Sequence, residues 1–144
     1  MSGAAMEGAL RGAEDASYEV RAAAGRELAR WVEHGDVPAV LERLVLDPYD
    51  TGVTQATTEA LLRRNDVAGL RIVLRALARA AERGVQGEQG VPWCTVDRIV
   101  GDVHAYAGEL AAAGLADEHA RRLRILAADP DLDPGVRDEA LYFL

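Results

Sequence analysis

The residues best suited to chemistry are arginines at helical spacing. Arg71, Arg75, Arg79 and Arg83 recur at every fourth position, which lines them along one slowly drifting face of a single helix. Val67, Leu70, Val73, Leu74 and Leu77 fall on the opposite face. Arg121, Arg122 and Arg124 follow on a later segment. If both segments line one concave surface, the result is a locally basic groove. The commoner use of such a run is a solvated face matched by nearby acids. Both uses stay open at this point.

Trp93 is the other candidate. It closes a glycine-rich stretch, and tryptophan is enriched at binding hot spots. Packing at a helix start is the plainer use of so large a side chain. Trp31 follows Leu28 by three residues and is expected in a helical core. The candidate partner-binding residues are therefore Arg71, Arg75, Arg79, Arg83, Trp93, Arg121 and Arg124.

Other constellations fail chemical tests. Asp129-Pro130-Asp131-Leu132-Asp133 has acids at the first, third and fifth positions of a calcium loop. That loop also needs glycine sixth and glutamate twelfth; here those places hold Pro134 and Ala140. His34, His104 and His119 are scattered without zinc-ligand spacing. His34 is placed at a helix end, and the other two are expected to be partly buried polar residues. Cys94 precedes a helix start, where a thiolate is favoured, but a small half-buried thiol is the expected use. No phosphate loop, dinucleotide fingerprint or nucleophile elbow is present. No metal, cofactor or catalytic residue is expected.

The elements that must position the arginines are helices. The apolar content is 49% and is carried by Ala, Leu and Val, and Ala and Leu lose little entropy in helices. No run alternates with the period of a strand. At 144 residues the chain is one domain, large enough for its own core. All 16 cations are arginine, and the net charge is −8. That balance repels nucleic acid and anionic membranes at long range. A single cysteine excludes an internal disulfide. With no signal-like N-terminus and no long apolar run, a cytoplasmic location is expected.

Three segments share a pattern. Ser17, Val20, Ala24 and Leu28 match Asp50, Val53, Ala56 and Leu61, and again Asp133, Val136, Ala140 and Leu144. Ser or Asp accepts from free N–H groups at a helix start. The apolar residues lie on one face, with alanine allowing close approach. Short turns at His34-Gly35 and Asn65 lead into second helices, and short turns make antiparallel neighbours. Residues 17–46 and 50–83 read as helical hairpins. Residues 84–94 read as a flexible loop. A third, irregular hairpin spans 95–128, capped by Thr95 or Asp97 and broken at Gly114. A last helix covers 133–144. The count is about seven helices.

The Asp-Pro…Val…Ala…Leu spacing of Asp47 to Leu61, and of Asp129 to Leu144, resembles HEAT repeats. The segment from Leu46 to Ala78 also resembles small HEAT-like proteins of actinobacteria. The resemblance covers most of residues 15–144. It implies an all-α fold, a short α-solenoid of antiparallel hairpins, with second helices lining the concave face. Such arrays act through extended surfaces. The expected function is protein binding without catalysis, as an adaptor or inhibitor. An immunity-type protein that neutralises a basic bacterial toxin is one version, helped by charge steering. The alternative is a HEAT-like DNA-binding protein or DNA glycosylase using the Arg71–Arg83 face, which the net charge opposes. A homo-oligomer through the C-terminal helix is a further expectation, because Leu141-Tyr142-Phe143-Leu144 lacks a paired helix.

Overall fold

Helices begin where the sequence places hydrogen-bond acceptors. The computed structural model describes residues 2–84 and 90–144. Helix α2 (Tyr18–Leu28) is capped by Ser17, whose hydroxyl accepts from the Val20 N–H at 3.4 Å. Asp50 caps α4 (Thr51–Leu62) through the Gly52 N–H at 2.7 Å. Asp66 caps α5 (Val67–Arg83) through the Gly69 N–H at 2.9 Å. Asp133 caps α8 (Pro134–Tyr142) through the Gly135 N–H at 2.7 Å, with Pro134 in the first turn. Helix α3 (Val37–Val45) starts after Asp36 without a side-chain cap. Asn65 takes a left-handed φ of 55° in the α4–α5 turn, and Gly114 one of 79° after α6, a conformation that glycine and asparagine tolerate best.

Two sequence expectations need correction. The described residues hold eight α-helices, because Ser2–Gly12 forms α1 and packs on α2. Helix α6 (Trp93–Ala112) starts ahead of Thr95 and Asp97. The Thr95 and Val96 N–H groups already donate back to the Pro92 carbonyl, at 3.0 and 3.3 Å. Thr95 is thus inside the helix and buried, and cannot be its cap. Of the expected loop 84–94, residues 85–89 lie outside the described residues. Its base is pinned where the Val91 N–H donates to the Gly84 carbonyl at 3.1 Å.

The fold is all-helical, with no strand among the described residues. Helices α1, α2, α4 and α6 form one row, each packed on the next. Helices α3 and α5 pack together behind them. This stack of antiparallel pairs is compatible with a helical solenoid. Helix α4 has α2 and α6 at its sides and α3 and α5 behind, so it buries residues all round, including Val53, Thr54, Thr57, Thr58 and Leu61. Two close approaches make this possible. A Cβ at Gly25 would collide with Thr57 Oγ1, and one at Gly69 with the Leu61 carbonyl oxygen.

The second row ends differently from a simple repeat. Helix α8 packs on α5 as well as on α7 (Ala116–Ala128). It buries Val136 and Ala140 there, while Leu141, Tyr142 and Leu144 face outward. Leu144 is therefore not the core position its repeat spacing implies. Val20 is likewise exposed, unlike Val53 and Val136. One continuous core runs from Ala9 to Ala140.

Candidate functional site

Helix α5 sorts its residues as the periodicity predicts, except Val67, which is half-buried and lies on the Arg71 side, one turn before it. Leu70, Ile72, Val73, Leu74, Ala76 and Leu77 are buried, whereas Arg71, Arg75, Arg79 and Arg83 are all exposed. The four arginines do not share one environment. Arg79 Nε donates to Glu42 Oε1 of α3 at 2.9 Å, and its Nη1 lies 3.8 Å from Glu82 Oε2. The hydrogen bond to Glu42, with its charge, holds the Arg79 guanidinium further above its ordinary pKa. Among the described residues, Arg71, Arg75 and Arg83 have no carboxylate within 4.0 Å.

Arg71 and Arg75 border an open groove of about 490 Å³ between α3 and α5. Val32, Pro38, Val67, Ala68 and Ile72 supply its apolar lining, and Glu33 also borders it. Arg75 continues into a smaller cleft of about 130 Å³ against α8, shared with Arg79, Glu82 and Asp133. The charge along α5 therefore changes from unmatched at Arg71 and Arg75 to matched at Arg79.

The later arginines do not join this surface. Arg121 and Arg122 approach Glu118 of their own helix at 3.2 and 3.7 Å. Arg124 is exposed. Neither Arg121 nor Arg124 lines the α5 grooves; α8 packs against both α5 and α7. Trp93 opens α6 and is 56% exposed, outside those grooves. Trp31 is packed against the core and donates from Nε1 to Glu27 Oε1 at 3.4 Å. Cys94 is exposed rather than half-buried, because α6 begins one residue earlier and turns it to solvent. His104 is also exposed, with its ring edge against Phe143.

Sequence reasoning missed a larger cavity, about 690 Å³, where the α1–α2 and α3–α4 turns meet α3. At its wall lies a buried ion pair. Arg21 Nε donates to Asp47 Oδ1 at 2.9 Å and Nη2 to Oδ2 at 3.1 Å. Arg21 Nη1 donates to the Asp15 and Ala16 carbonyls at 3.0 and 2.9 Å. Asp47 Oδ2 accepts from the Tyr49 and Asp50 N–H groups at 3.2 and 2.9 Å. The exposed pair Arg43–Glu14, at 2.9 Å, also borders the cavity. The usable signal was Arg21 standing directly after the repeat valine, with Asp47 opening the following turn.

A second missed cluster links α6 and α7 to the α4–α5 turn. Tyr106 donates from its hydroxyl to Asn65 Oδ1 at 2.5 Å and accepts from Arg122 Nη1 at 3.2 Å. The His119 ring meets Tyr106 edge-on at 5.4 Å. His119 is buried, and its Nδ1 has no partner among the described residues. Burial, then the Arg122 charge, lowers its pKa. Asp102 has a buried Oδ2 with no partner among the described residues. Burial first, with Glu59 nearby, pushes its carboxyl up to about 6 against the pull of Arg98.

Among the described residues no group of three or more His, Cys, Asp or Glu side chains could hold a metal ion. No described helix is long and apolar enough to cross a membrane. No family model matches the chain, and no curated protein or solved structure matches it.

Proposed function

We propose that this chain is a protein-binding helical array that grips one partner through the α3–α5 groove, without catalysis. The observation that carries the reading is the groove itself: an open, mostly apolar cleft flanked by two arginines that have no carboxylate within 4.0 Å among the described residues. Apolar area with a few placed polar groups is what a partner's anchor residues need. The resemblance to HEAT repeats favours the same reading, since such arrays work through extended faces. A cytoplasmic setting belongs with it, because the exposed thiol of Cys94 stays reduced there.

Duplex DNA is the weaker occupant of the stripe. Phosphate affinity grows with the number of charges neutralised, and Arg79 is already engaged by Glu42. The net charge of −8 opposes it as well.

The test is a side-by-side affinity capture from the native cell with the wild-type chain and with Arg71→Glu/Arg75→Glu. A stoichiometric protein held by the first and lost by the second supports the reading. A protein held equally by both removes the groove from it.

A further inference from the structure

We propose that the α3–α5 groove takes an acidic, amphipathic helix of the partner protein. The inference rests on the reading of the chain as a protein-binding array and specifies the chemistry of what docks.

Three observations fix that chemistry. The first is sign. Arg71 and Arg75 border the groove and have no carboxylate within 4.0 Å among the described residues, while Arg79, one turn on, is held by Glu42. The chain supplies its own acid where α3 comes close and leaves the next two guanidinium groups open. Guanidinium recognises carboxylates through paired, charge-assisted hydrogen bonds. An acidic protein that binds at this groove is met by local charge opposite to the whole. Beyond a Debye length of about 8 Å the remaining charges are largely screened.

The second is spacing. Arg71 and Arg75 stand one turn apart, a rise of about 6 Å at 1.5 Å per residue. Two carboxylates at i and i+4 of a partner helix rise by the same amount and lie on one face.

The third is length and polarity. The α5 wall from Val67 to Arg75 is about 12 Å long. That is about two turns of a helix laid alongside it. Val32, Val67 and Ile72 offer apolar contact over this length. An amphipathic helix places apolar anchors at i, i+3 and i+4 into such a groove. Its carboxylates then project past the anchors toward the arginines. Glu33 also borders the groove, so a basic residue on the same helix is matched there.

The probe is a short, fluorescein-labelled, alanine-based helical peptide with a leucine stripe and a Glu pair at i,i+4 beside it. A second peptide carries Lys in place of both Glu. Anisotropy titrations use the full chain and its Arg71→Glu/Arg75→Glu variant, with circular dichroism confirming that the variant is folded. The expected result is binding of the Glu peptide to the wild-type chain. The double reversal is expected to weaken it by about tenfold or more, the scale of two partly exposed charge pairs. The Lys peptide is expected to regain affinity on the variant.

Equal binding of both peptides to the wild-type chain overturns the acidic specificity and leaves the groove as a docking face. Failure of both peptides, with a captured cellular partner still lost from the variant, overturns the helical occupant while the protein-binding reading stands. Failure of both peptides, with the captured partner retained by the variant, overturns the groove altogether.

Discussion

Helix α3 borders two cavities that treat charge in opposite ways. On one side, where the chain turns from α1 into α2 and from α3 into α4, Arg21 and Asp47 are buried and satisfy each other on two contacts. Backbone groups occupy much of what remains. On the other side, Arg71 and Arg75 stand in solvent beside a mostly apolar lining with Glu33 at its border, and among the described residues no carboxylate lies within 4.0 Å of either. Leaving water is costly for a charge, so a buried one requires partners; an exposed one requires none. The first cavity is wider, yet its charges are committed to holding two turns together. The second is narrower, yet its charges are free to meet something else. Size alone does not separate the two; the state of their charges does.

The fully buried core sets the scale for breaking this contrast. Val53 has no exposed surface and lies on α4, among all its neighbours. Val53→Asp is expected to lower stability by more than ~3 kcal/mol, through lost apolar burial plus a buried charge. Chemical denaturation measures it; a near-wild-type midpoint would contradict the placement of α4.

Asp47→Ala comes next. It leaves the Arg21 charge buried and unpaired, and is expected to destabilise by ~3 kcal/mol or more. Replacing both partners, as in Arg21→Met/Asp47→Leu, should recover much of that loss. A single-variant loss below ~1 kcal/mol, the range of exposed pairs, would erase the distinction between the two cavities.

Asp102 sharpens the rule, because its Oδ2 is buried and has no partner among the described residues. Its carboxyl titrates near 6 in the folded chain against an ordinary value of 3.8. The folded state therefore holds the proton more tightly. Stability from this group rises as pH falls from about 6 toward 3.8, and at neutral pH the ionised form opposes folding. Asp102→Asn is expected to stabilise at pH 7 by ~1 kcal/mol once partial solvent screening is included, and to do little near pH 4. His119 works the other way. Its folded pKa lies below the ordinary 6.5, so stability is lost as pH falls from 6.5 through that lower value. Comparing denaturation of the wild type and Asp102→Asn at each pH cancels the histidine. A variant no more stable than wild type at pH 7 would mean that Oδ2 is satisfied in solution.

These regions were unequally legible in the sequence, for a physical reason. Caps at Ser17, Asp50, Asp66 and Asp133 act over two or three residues, so local spacing reveals them. The α5 arginine face is equally local. The acid that removes Arg79 from it is Glu42, on a different helix, and only the stacking of α3 on α5 brings it there. Asp47 reaches Arg21 across an intervening hairpin in the same way. Helix α1 carried a readable signal, Met6, Ala9, Leu10 and Ala13 on one face. Gly3, Gly8 and Gly12 weaken its intrinsic propensity, and packing on α2 outweighs that. The fold-back of α8 onto α5 has no local signature, because repeat spacing predicts that a helix forms but not which row it joins.

The smallest expected effect on stability falls where the proposed function is strongest. Arg71 and Arg75 are exposed and unpaired among the described residues, so Arg71→Glu/Arg75→Glu should leave stability within ~0.5 kcal/mol of wild type. Against this near-zero, loss of partner binding by the same variant is informative, since it cannot be assigned to unfolding. Arg79→Glu is the matched control. It removes the Glu42 contact and sets like charges together, so it should cost about 1 kcal/mol while leaving the groove-lining pair intact. If Arg79→Glu abolished binding as fully as the double reversal, the partner would be reading the whole stripe, and the distinction between Arg79, held by Glu42, and the Arg71–Arg75 pair would fall.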